Sequence, residues 1–90
     1  MKIVFDDNAI RDLEGIYVWI AAENEKAAQS VDHRLREAIS RLASFPLSGR
    51  RGIRHTRELI LPKLPYVVVY EVDEERGLII IIQVVHTARD

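Results

Sequence analysis

The chain has 90 residues, 48% hydrophobic and 30% charged, with a formal net charge of -1, which describes one ordinary globular domain over 1–90 burying roughly 60–65% of its unfolded surface. It has no cysteine, which excludes disulfides and thiolate metal sites and fits a reducing cytoplasm. The opening MKIVFDDNAI lacks the apolar run of a signal peptide, and no apolar run approaches a membrane span, so a membrane partner is not expected.

Lys2–Phe5 (KIVF) reads as a short strand, after which Asp6 or Asp7 can cap a helix by accepting free backbone N–H groups. Ile10, Leu13, Ile16, Tyr17 and Ile20 then recur at helical spacing. Gly15 weakens this helix by about 1 kcal/mol relative to alanine, and a close neighbouring backbone would account for it. The helix should end near Asn24. A second helix follows at once, with Ala27, Ala28, Val31, Leu35, Ala38, Ile39 and Leu42 on its apolar face, and Pro46 stops it. The short link predicts an antiparallel helical hairpin.

A basic loop comes next: residues 50–63 hold five Lys and Arg against one acid, whereas 6–37 hold eight acids against four bases. Such asymmetry bears on partners more than on fold. Beyond it, 58–61 (ELIL) reads as a strand, Pro62 and Pro65 bracket a turn, and 66–72 (YVVVYEV) is strand-like in its β-branched and aromatic content. The polar turn DEERG leads into 78–85 (LIIIIQVV), apolar on both faces and expected to be central. The fold class is α+β, in the order β-α-α-β-β-β: a helical hairpin on one face of a small, mostly antiparallel sheet.

Four stretches in this order carry a resemblance: DLEGIYVWIA, AISRLASFPLSGR, RELILPKLPYVVVYEV and IIQVVHTARD. Together they resemble the RelE/ParE superfamily of bacterial type II toxins over nearly the whole chain. The resemblance implies a cytoplasmic growth inhibitor, of the kind used in plasmid stabilisation, that is neutralised by a cognate antitoxin wrapped around it. Operator DNA would be bound only through the antitoxin, and no cofactor is implied. RelE-like members cut mRNA on the ribosome, whereas ParE-like members poison DNA gyrase without chemistry of their own.

A metal-free ribonuclease needs an acid–base pair for the 2′-OH and the leaving oxygen, and cations for the developing phosphate charge. Histidine titrates near neutrality and suits the first task, so the catalytic candidates under that reading are His86 with Arg57 and Arg89, and Arg54 can also hold phosphate. His86, just past the last strand, and Arg57, just before the second, are expected to reach one sheet edge. A packed strand-end histidine is the alternative. Two departures weigh against the nuclease. Val67 stands where RelE-type ribonucleases place arginine after the first tyrosine of Y-x-x-V-Y, and Thr87 rather than tyrosine follows His86. The ParE-like branch is therefore preferred, with mRNA endonuclease as alternative and an inactive antitoxin-binding module as a third reading.

Arg50, Arg51, Arg54 and Arg57 form the candidate contact with the target or a nucleic acid, unless they only solvate a loop. Trp19 lies off the core stripe and is a candidate antitoxin contact. Tyr66 and Tyr70 share one face of their strand, in the core or in an antitoxin groove. An exposed strand edge invites strand addition by the antitoxin. His33 and Glu37 sit one helical turn apart, too few ligands for a structural metal, and none is expected.

Overall fold

A computed structural model describes residues 1–88. Strand β1 (Lys2–Phe5) leads into helix α1 (Asp7–Ala21), whose N-terminus is capped by the Asp6 carboxylate accepting from Asn8 N–H at 3.2 Å. Helix α2 (Glu25–Ser40) begins behind an equivalent cap, in which Asn24 Oδ1 accepts from Ala27 N–H at 3.0 Å. The two caps fix where each helix starts, and the few residues between them turn the chain back on itself. A 3-10 turn, Arg41–Ala43, prolongs α2. Four strands follow: β2 (Arg50–Arg51), β3 (Thr56–Ile60), β4 (Tyr66–Asp73) and β5 (Leu78–His86).

The sheet order is β1-β5-β4-β3-β2, with β1 parallel to β5 and every other pair antiparallel. The expected architecture of a helical hairpin on one sheet face is present. Three details differ from the sequence reading. The two-residue strand β2 is additional; β3 begins at Thr56; and β4, not β5, is the central strand. Gly15 is also not explained by crowding, since a Cβ there would meet nothing within 4 Å.

The core lies between the helices and one sheet face. Leu35, Ile39 and Leu42 from the helical side meet Val68, Tyr70, Ile79 and Ile81 from the sheet, all essentially inaccessible. On β4 the buried positions alternate regularly as Tyr66, Val68 and Tyr70. On β5 they do not. Ile79 and Ile81 are buried, and then Val84. The register explains the jump: Tyr70 pairs with Ile81 and Val69 with Gln83, so Ile82 is the extra residue of a β-bulge. The second half of β5 thereby keeps step with β4, and His86, opposite Tyr66, faces the helical side.

The register also defines the other face of the sheet. Its cross-strand rows are Ile60–Val67–Val85, Arg50–Glu58–Val69–Gln83, Thr56–Glu71–Ile80–Val4 and Asp73–Leu78–Lys2. No described element covers this face, and Ile60 on it is half exposed.

Candidate functional site

The sequence candidates fall on three separate surfaces. The first is a groove of about 410 Å³ between α1 and the ends of β4 and β5, lined by Gly15, Trp19, Tyr66, Val85 and His86 among others. Its shape follows from composition. Gly15 presents no side chain, so the helix leaves a recess where other residues would fill it. Trp19 rims the recess and is 70% exposed. His86 stacks edge-on against Tyr66, with ring centroids 5.2 Å apart, and its Nδ1 accepts from Ala88 N–H at 3.0 Å. Asp12, from the same helix, reaches across to accept the N–H of Val84 at 2.9 Å. That contact sits just past the bulge, where β1 has ended and the outer edge of β5 has lost its ladder partner.

The second surface is a cleft of about 380 Å³ beside the β2–β3 hairpin, lined by Leu47, Arg51, Arg54, His55, Arg57 and Glu74 among others. The arginines here do different work. Arg50 is paired with Glu58 at 2.8 Å. Arg57 donates to Gly49 C=O at 2.8 Å and more weakly to Leu47 C=O at 3.4 Å, so it ties down the loop ahead of β2. The side chains of Arg51 and Arg54 make no hydrogen bond or ion pair with any described residue.

The third surface is the uncovered sheet face. Along its described rows the one arginine is Arg50, already neutralised by Glu58, and Val67 sits amid valine and isoleucine. Its described rows offer a phosphate group no unpaired arginine, and their one lysine, Lys2, lies in the row at one end beside Leu78 and Asp73.

Of the residues expected to act together under the nuclease reading, Arg57 and His86 are not brought together. Arg57 pairs with Tyr70 and His86 with Tyr66. Four residues of β4 separate the two rows, about 13 Å at strand rise. His86 is the last residue of β5 and Arg57 the second of β3, and they lie toward opposite ends of the sheet rather than at one edge. Arg89 lies outside the described residues. Tyr66 is 5% and Tyr70 0% exposed, so the proposed antitoxin contact through Tyr70 gives way to a core role, and Tyr66 offers only its rim to the groove. His33 and Glu37 approach to 3.4 Å on an exposed helix face.

Sequence reasoning did not find Asp12, whose partner is a backbone N–H 72 positions away. Nor did it find the anchoring role of Arg57, because backbone carbonyls leave no mark in a sequence.

A family model described as the ParE toxin of type II toxin–antitoxin systems, parDE, matches residues 3–90. Toxin RelE2 of Caulobacter vibrioides is 35% identical over 88 residues, 98% of this chain and 97% of that one. The protein Y4kP of Sinorhizobium fredii is 38% identical over 68 residues, 74% of this chain and 71% of that one. The chromosomal ParDE system from P. aeruginosa shares the fold, with a TM-score of 0.81 at 20% identity over 96% of this chain and 95% of that one. The intact E. coli RelBE toxin–antitoxin complex shares it with a TM-score of 0.71 at 19% identity over 98% of each chain.

Proposed function

Because the chain belongs to the ParE toxin family of type II toxin–antitoxin systems, we propose that it arrests growth by binding DNA gyrase rather than by cutting RNA. The observation that carries this reading is the uncovered sheet face. A ribonuclease must gather cations around a phosphate and place an acid–base group beside them. Here the rows of that face hold mainly aliphatic, uncharged polar and acidic residues, with one neutralised arginine and Lys2 in the row at one end beside Leu78 and Asp73. His86 is turned to the opposite side and occupied by Tyr66.

The antitoxin is proposed to neutralise the toxin by seating on the groove beside α1, where Trp19 is exposed and Gly15 leaves room. Strand addition at the outer edge of β5 would have to displace Asp12 from Val84 N–H.

Pulse labelling after induction without antitoxin tests the target. The expected result is that thymidine incorporation falls first, with induction of the DNA damage response. Methionine incorporation falling first, with cleaved transcripts, would replace this reading by the mRNA endonuclease. Undisturbed growth would leave an inactive family member that retains only antitoxin binding.

A further inference from the structure

The tip of the β2–β3 hairpin combines features that neither core packing nor loop solvation requires. Ile53 is 78% exposed, the most exposed of the large apolar side chains among the described residues. Arg51, Arg54 and His55 surround it in sequence, all exposed, and none makes a side-chain hydrogen bond or ion pair with a described residue. An exposed isoleucine flanked in sequence by two unpaired arginines at a loop tip gives up apolar surface to water for no internal gain.

The tip is also held rigidly. Gly52 N–H donates to Thr56 C=O at 2.9 Å, and Ile53 C=O accepts from both Thr56 N–H at 3.0 Å and Thr56 Oγ1 at 2.6 Å. A Cβ at Gly52 would lie 2.7 Å from Thr56 Oγ1, so glycine is needed for the turn to close this tightly. Arg54 adopts φ 56°, a left-handed conformation that costs a non-glycine residue and is retained here. At the hairpin base, Gly49 is fixed on both sides, its N–H donating to Tyr70 Oη at 2.9 Å and its C=O accepting from Arg57. A rigid projection loses little freedom on binding, which favours affinity.

The geometry points to this tip as the element that seats on the target, with Ile53 entering an apolar pocket and Arg51 and Arg54 meeting a carboxylate rim around it. The occupant is a protein surface, not a nucleic-acid backbone. Phosphate binding draws its strength from many cations, and here Arg50 and Arg57 are already engaged. Glu74 lines the same cleft and opposes a phosphate backbone there. Charged groups around an apolar anchor are instead the arrangement of a protein interface, the anchor supplying affinity and the charges specificity and rate.

This inference rests on the reading of the chain as a gyrase-binding inhibitor, and the experiment separates the two. Purified wild type, Ile53→Asp and the double variant Arg51→Glu/Arg54→Glu are titrated against purified DNA gyrase without DNA, and each is checked for unchanged thermal unfolding. Ile53→Ser, a milder change, is carried in parallel in case the aspartate variant does not fold. The expected result is wild-type binding that both charge-altering variants weaken by tenfold or more, with Ile53→Ser weakened several-fold. Wild-type binding that all variants keep in full would overturn the role of the tip and leave gyrase as the target. Absence of gyrase binding by wild type would overturn both, and transcript cleavage on ribosomes lost in the same variants would reassign the tip to RNA.

Discussion

The hydroxyl of Tyr70 accepts from Gly49 N–H at 2.9 Å and donates to Pro46 C=O at 2.8 Å. A core side chain thus fastens the loop that carries the basic hairpin. The fit is tight, since a Cβ on Gly49 would come within 2.7 Å of that oxygen and 2.9 Å of Glu58 C=O. Tyr70→Phe leaves the buried Gly49 N–H unpaired, which should cost about 1–2 kcal/mol. For a domain of this size that is a drop in Tm of roughly 4–16 °C. Calorimetry checks the drop, and faster amide exchange around residues 47–50 checks its location. Gly49→Ala should be at least as damaging.

Gly15 gives the opposite expectation for stability. With open space around it, Gly15→Ala should stabilise α1 by about 0.5–1 kcal/mol. Gly15→Leu should fill the groove beside Trp19 and lower antitoxin affinity by tenfold or more, while growth arrest in the absence of antitoxin persists. Titration with the cognate antitoxin reads the first effect, and colony counts after induction read the second. Unchanged antitoxin affinity would move the antitoxin off this groove.

His86→Ala discriminates between chemistry and packing. Loss of the edge-on contact with Tyr66 should cost ~0.5–1.5 kcal/mol of stability, and growth arrest should remain. A variant that folds, binds antitoxin and no longer arrests growth would restore the case for acid–base catalysis.

Asp12→Ala removes the acceptor for Val84 N–H and should destabilise the protein by about 1–3 kcal/mol, as expected for a hydrogen bond to a charged group. Chemical denaturation measures it. Asp12→Asn, which keeps a carbonyl acceptor, should recover part of the loss.

Much of this architecture was legible in the sequence. Helical periodicity located both helices, and Asp6 did prove to be the first cap. The long strands were marked by β-branched runs. Strand β2 was not legible, because two arginines carry no apolar signal and become a strand only through pairing with Glu58 and Arg57. The basic cluster was visible as charge, but its division into paired, anchoring and unpaired arginines depends on distances. The separation of Arg57 from His86 was hidden for a similar reason. Nearness to strand ends in sequence says nothing about which end of the sheet those residues share.

The bulge at Ile82 has a bearing on how relatives of this chain are compared. Because the extra residue is absorbed there, a chain lacking it would keep the same pairing of its last strand with β4 and the same side chains toward the helices. A length difference of one residue at this point therefore preserves which side chains face the helices, and a gap belongs at Ile82 and not at the C-terminus. An alignment that counts from the start of β5 without that gap would match His86 to a residue on the uncovered face. Functional labels transferred along it would then pass between two sides of the sheet with different chemistry.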